Sequence, residues 1–357
     1  MAITNLATAA PSGVNFDLMR GLLSAAKKKL PFFNGTLPGT LSMNMGAPAV
    51  KWERINNLAI TKTALGETTT GSTRAFQNGR TPVVATVSVV TATPLKYGNF
   101  IDMNEEVDLI QMNLRGINYM NTLGGNAGES LNELMIDIYQ STTTNRFGSA
   151  VASAGAVVTA LSSNDIKYAV NQLNRNSALT FQTQGEGMDR IDTKAVREAF
   201  YGICHPDVEE DLRALAGFVG VEQYAGYMES LIGEIGTLNG VRWSTSPLAG
   251  TIVLGGGGSA TGLRFSSSAA TSDVYSSFIY GQEAIGSVGL GQGHETSQKM
   301  MYDTIKAVEV IQHLPGSAGA GDPMNEFGTL AWKAWFAGAV LNNGWVVHVQ
   351  TGASLLA

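Results

Sequence analysis

The chain has 357 residues and a formal net charge of −6, from 23 Lys and Arg against 29 Asp and Glu. That balance argues against a protein that grips nucleic acid along a basic face, and a single Cys excludes an internal disulfide. Charged residues make up only 15% of the chain, against about 25% in an average soluble protein, so much of the surface is expected to be covered by protein in the working state.

The N-terminus, MAITNLATAAPSG, lacks a basic start followed by an apolar run and does not read as a secretory signal. A helix is expected over Phe16 to Leu30. It ends on Lys27-Lys28-Lys29, where cations favour the negative end of the helix dipole, and Pro31 stops it. Residues 31–49, PFFNGTLPGTLSMNMGAPA, show no period and are rich in Gly and Pro. Phe32, Phe33, Met43 and Met45 argue that this segment is laid across a surface, since disordered tails are poor in such groups.

Residues 50–100 read as a long hairpin. One arm runs Val50 to Ala64 and the other starts at Pro82, with the β-branched run PVVATVSVVTATPL. A polar Gly/Thr tip lies between. Arms of about fourteen residues would extend roughly 45 Å. Such a ribbon cannot bury its own faces and needs a neighbouring molecule.

Two helical patterns follow, one on Val107, Ile110, Leu114 and Ile117, the other on Leu131, Leu134, Met135 and Ile138. Gly124-Gly125 is expected to separate or kink them. Glu129, Glu133 and Asp137 share another face of the second helix. No His joins these carboxylates, and they read as a polar face that meets solvent or a neighbour's Arg. A further helix is expected over Asn164 to Asn174, with Ile166, Val170 and Leu173 in phase.

Residues 201–212, YGICHPDVEEDL, place a Cys, a His, two Asp and two Glu close together. An apolar run from Ala199 to Ile203 leads into Cys204 and His205, and neighbours on a strand point to opposite faces. Pro206 suits the first turn of a helix. Asp207, Glu209 and Glu210 complement its dipole, and Val208, Leu212, Leu215 and Ala216 recur at helical spacing. The stretch reads as strand, tight turn and acidic helix start, with Cys204 and His205 structural. A zinc site would need further Cys or His nearby. A Cys/His nucleophile with distant partners stays open as the alternative, as does an enzyme built on a carboxylate cluster.

Asn239-Gly240 in GEIGTLNGVRW is a strong hairpin signal. A strand is expected in DVYSSFIYG, another in DTIKAVEVIQHL, and more in FGTLAWKAWFAGAVLNNGWVVHVQT, where Asn343-Gly344 reads as a second hairpin turn. GGGGSATG from Gly255 and the glycines at 289, 291 and 293 match neither phosphate-binding nor dinucleotide patterns. Asp303, Asp322 and Glu326 have no His ligand. The longest apolar stretch, near Ala331 to Leu341, carries Lys333 and is too short to span a bilayer. The class is α+β with mostly antiparallel strands. No catalytic, cofactor-binding or metal site is expected.

The parts form an unusual set: an extended arm, a protruding hairpin, a long helix, an α+β body and too few charges. That set resembles the major capsid protein of tailed bacteriophages, the HK97-like fold. The ordered motifs YGICHPDVEEDLR, FVGVEQYA, GEIGTLNGVRW and GSAGAGDPMNEFGTLAWKAWFAGAVLNNGW resemble the capsid family typified by phage N4, from about residue 50 onward. The resemblance implies an N-terminal arm over 1–50 and an extended hairpin, the E-loop, over 51–101. A peripheral P domain over 102–198 would hold a spine helix around Ala127 to Gln140. An axial A domain would cover 199–300, with a return to the P domain over 301–357. Gly233, Glu234 and Gly236 would hold an A-domain turn, and Trp332 and Lys333 would sit on a P-domain strand. It further implies self-assembly into hexamers and pentamers of an icosahedral shell around double-stranded DNA. Portal, scaffolding and cement or decoration proteins would be partners, with no cofactor, no membrane and no catalysis. The virion would be the location, after assembly in the host cytoplasm. A surface-layer or adhesin protein is a third class, which the missing secretion signal disfavours.

Overall fold

The longest element is a helix, α1 (Arg115–Gln140). Met120, Leu123, Ala127, Leu131, Met135 and Tyr139 recur at three- and four-residue steps and are all buried, while Glu133 and Asp137 face solvent. The expected break at Gly124-Gly125 is absent. The apolar stripe stays in phase on both sides, and burial of that stripe outweighs the propensity cost of about 1 kcal/mol per Gly. The computed structural model describes residues 31–33, 35–39, 49–55, 84–104, 115–181, 198–223, 233–252, 256–257, 262–264, 271–288, 308–313 and 326–355, with single positions at Leu58, Ile60, Lys62 and Met324. The expected helix over Phe16 to Leu30, Met43, Met45, Val107 to Leu114, the hairpin tip, glycines 289, 291 and 293, Asp303 and Asp322 lie outside these residues.

Two shorter helices follow the capping rules. In α2 (Ser163–Arg175), Ser162 is the N-cap and accepts the Asp165 backbone N–H, and Ile166, Ala169 and Leu173 are buried. In α3 (Pro206–Ala214), His205 is the N-cap, Pro206 opens the first turn, and Val208 and Leu212 are buried. The spacing in the sequence agrees for α2, but α3 stops at Ala214: Leu215 is its extended C-cap and Ala216 an exposed turn residue, so neither continues the helical stripe of Val208 and Leu212.

One three-stranded sheet lies along α1. Its order is β13 (Val308–His313), β14 (Phe327–Phe336), β4 (Leu95–Asn104). Burial alternates strictly along β14: Leu330, Trp332, Ala334 and Phe336 join the core with Met120, Leu131, Met135 and Tyr139. Trp332 donates its indole N–H to Asn126 of α1 at 3.1 Å.

Among the described residues the largest sheet has eight strands. Its path runs β5 (Asn145–Phe147), β16 (Val346–Thr351), β11 (Val274–Tyr280), β6 (Phe200–Cys204), β9 (Val241–Thr245), β8 (Glu234–Leu238), β7 (Val219–Gly220), and β10 (Thr251–Ile252) pairs with β11. β11 and β16 are buried along their whole length, because both faces are covered. Phe278, Tyr280 and Val346 look toward α1, and Tyr275, Ile279, Val347 and Val349 pack with α2 and α3. Asn239 and Gly240 have φ of 52° and 79°, the left-handed pair that a two-residue hairpin turn needs. They join β8 to β9 as expected.

The second Asn-Gly expectation fails. Residues Asn343–Trp345 form a 3-10 turn in which Gly344 N–H donates to Asn342 Oδ1. The flanking strands join different sheets: β15 (Gly338–Val340) pairs with β12 (Ile285–Val288), and β16 pairs with β11 and β5. Trp345, whose indole donates to Asn176 O, redirects the chain.

A third sheet has the order β1 (Leu37–Gly39), β12, β15, with β1 running parallel to β12. The segment leading to it packs on its own chain. Phe32 is fully buried, edge-on to Tyr139 and Phe278. Its N–H donates to Asn132 Oδ1 and its C=O accepts from Tyr139 Oη. The surface across which this segment lies is therefore that of its own chain: an aromatic pocket holds Phe32, and β12 pairs with Leu37–Gly39.

The fourth sheet is the hairpin, β2 (Val50–Ile55) with β3 (Val87–Ala92), in antiparallel register from Val50↔Ala92 to Ile55↔Val87. Its second arm ends sooner on the body side than the sequence suggests: β4, from Leu95, belongs to the sheet beside α1. Its base is also not free. Val50 and Trp52 are buried against Ala337, Leu37 and Ala339. Among the described residues, no helix is long and apolar enough to cross a membrane.

Candidate functional site

Cys204 and His205 do not converge. Cys204 ends β6, is fully buried, and directs its thiol at Ser244 O, 3.8 Å away. Burial pushes this thiol well above its ordinary range, and Glu209 adds to the shift. A buried, protonated thiol is a poor nucleophile. His205 lies on the other side of the strand end. Its Nδ1 accepts the Asp207 backbone N–H at 3.1 Å, and its ring sits 5.0 Å from that of Tyr275. Burial lowers its pKa, the Arg264 charge lowers it further, and a backbone hydrogen bond at Pro247 opposes both.

The acidic residues after His205 act as fasteners. Asp207 pairs with Arg264. Asp211 Oδ2 accepts the Ser354 backbone N–H at 2.8 Å, tying α3 to the C-terminal segment. Glu209 pairs with Arg213 one turn on. Glu133 and Asp137 are solvated on α1, and Glu326 is exposed. Among the described residues, no group of three or more His, Cys, Asp or Glu comes together.

Sequence reasoning did not find the buried ion pair of β8 and β9. Arg242 reaches Glu234 with Nε at 2.9 Å from Oε1 and Nη2 at 2.7 Å from Oε2. Both side chains are almost completely buried. The signal was present as opposite charges flanking Asn239-Gly240. The bulge between Glu234 and Gly236 shifts the register that simple counting would give.

The unusual surface is apolar and lies on the hairpin. On its outer face Ile55 stands opposite Val87 and Val89 opposite Glu53. Ile55 is 70% exposed and Val87 53%. Leu58, Ile60 and Val84 continue the exposure toward the tip, with Ile60 at 85%. Phe100 on β4 and Phe327 on β14 are also exposed. The ribbon thus presents β-branched side chains to water on one face while its base is seated on the body by the other. Exposed apolar side chains gathered on one element are a feature of interaction surfaces, and a hairpin is not independently stable on two strands alone.

No protein-family model and no curated protein matches the chain. Solved structures do. The chain is similar to the capsid of Ralstonia phage GP4 at 12% identity, covering 87% of this chain and 85% of that one, with a TM-score of 0.58. It is similar to the head structure of Helicobacter pylori bacteriophage KHP40 at 12% identity, over 91% of both chains, with a TM-score of 0.54. A chain of the cyanophage Pam1 capsid asymmetric unit matches at 13% identity over 93% of both chains, with a TM-score of 0.52. At such identities the agreement is one of fold. The chain has the α+β, HK97-like fold of these phage capsid chains.

Proposed function

We propose that this chain is a major capsid protein of a tailed bacteriophage, a structural protein without catalytic activity. It self-assembles into hexamers and pentamers of an icosahedral head that encloses double-stranded DNA. The carrying observation is the fold shared with phage capsid chains over 85–93% of their length. The exposed apolar ribbon supports it, because a second copy of the chain would cover that face. A net charge of −6 fits a shell that holds DNA by confinement. The order of the sequence motifs alone supports assignment to the phage N4 type.

On this reading residues 1–50 are the arm and 51–101 the E-loop. Residues 102–198 and 301–357 form the P domain around its spine helix, and 199–300 the A domain. Portal, scaffolding and cement or decoration proteins are its partners, and the virion its final location after assembly in the host cytoplasm.

Negative-stain electron microscopy and sedimentation of the expressed chain over a concentration series test the proposal. Shells, tubes or capsomer rings are expected. A single monomeric species at every concentration, alone and with the other head proteins, would overturn it.

A further inference from the structure

Trp52 of the hairpin is buried at 7% exposure although the strand carrying it is exposed at Lys51, Glu53, Arg54 and Ile55. Its indole lies on the β1–β12 pair. A Cβ added at Gly39 would lie 2.6 Å from Trp52 Cζ2 and 2.7 Å from Val50 Cγ1, and one at Gly286 would lie 2.6 Å from Trp52 Cε2. Only bare backbone at both positions leaves room for the ring. One of the two strands that make this seat, β1, belongs to the arm segment. That segment is held upstream by Phe32 in its aromatic pocket and along its length by Thr36 Oγ1 against Ser287 Oγ at 2.8 Å. Among the described residues Trp52 Nε1 has no hydrogen-bond partner, and the ring is packed against Val50, Leu37 and Ala337.

We propose that arm docking and hairpin position form one coupled conformational device: β1 on β12 completes the seat of Trp52, and withdrawal of β1 releases the hairpin. The base of the hairpin loses a wall when β1 leaves. Conversely, a displaced Trp52 uncovers Gly39 and Gly286 and weakens the short three-residue pairing of β1. A subunit can thereby change the course of both extensions together without repacking α1 or the eight-stranded sheet. The coupling is a property of one chain and does not depend on whether that chain builds a shell.

Hydrogen exchange followed by mass spectrometry on the full chain reads it directly. Gly39→Val forces a side chain into the indole. Exchange should accelerate by about tenfold or more in Val50–Ile55 and Val87–Ala92, while Val274–Tyr280 and Val346–Thr351 stay protected. Acceleration confined to residues 37–39 would overturn the coupling. If Gly39→Val fails to fold, seen as lost protection in β11 and β16, the reciprocal Trp52→Leu decides. Faster exchange in Leu37–Gly39 and Ile285–Val288 supports the proposal, and unchanged exchange there overturns it.

Discussion

Glu234 and Arg242 form a two-point ion pair across the β8–β9 hairpin, with contacts of 2.7 and 2.9 Å, almost out of reach of solvent. The paired charges sit at the bulge where β8 bends. Removing one partner strips the other, still buried, of a two-point charge-assisted contact. Glu234→Gln is therefore expected to destabilise the fold by about 3–5 kcal/mol. Denaturant unfolding checks this, and a loss below about 1 kcal/mol would mean that water reaches the freed guanidinium.

His348 sits in the middle of β16, stacked on Phe278 with ring centroids 4.6 Å apart. Burial lowers its pKa from 6.5 to about 4. The unfolded chain therefore takes up a proton near pH 6.5, and the folded chain does not until about pH 4. Stability is complete above the unfolded value and is lost as pH falls between the two. The loss is of order 2–3 kcal/mol. His348→Asn should flatten this part of the stability–pH curve relative to the parent chain, and identical curves between pH 6.5 and 4 would contradict the assignment.

Cys204 is expected to be inert and structural. Its thiol is fully buried and held protonated by burial, so modification by a water-soluble thiol reagent at pH 8 should follow unfolding. Cys204→Ala should cost about 1–2 kcal/mol in packing and leave assembly intact. Rapid labelling of the native chain would refute this.

The outer face of the hairpin is expected to serve assembly, not folding. Ile55→Ser with Val87→Ser changes two opposed, exposed residues. Cooperative melting should shift by less than about 0.5 kcal/mol. Particle yield should fall sharply, because a weakened contact is repeated around every ring of a lattice. Replacing Glu67 to Asn78 by a short Gly/Ser turn should behave in the same way. Circular dichroism and electron microscopy on one preparation separate the two effects. Deleting the whole hairpin is a different experiment, since Val50 and Trp52 belong to a buried cluster and their loss should lower stability.

The elements whose causes are local were legible without tertiary information. Pro206 after His205, the acidic first turn of α3 and the left-handed Asn239-Gly240 pair all act within a few residues, so spacing and turn chemistry suffice to read them. The structural reading of Cys204 and His205 rested on strand alternation, the proline-started acidic helix and the lack of further Cys or His nearby. Three features were decided only by the folded chain. Gly124-Gly125 stays helical because the stripe from Met120 to Tyr139 packs as one face. Asn343-Gly344 does not close a hairpin because β15 and β16 pair in different sheets. Phe32 and Trp52, on segments that look unsupported in sequence, are buried by residues distant in the chain: Asn132 and Tyr139, 100 and 107 positions on, cover Phe32, and Gly286 backs Trp52. Local propensity differs by about 1 kcal/mol per residue, whereas burying a large side chain contributes about 1.5–3 kcal/mol. Where the two disagree in this chain, long-range burial wins, and pattern reading within a short window cannot see it.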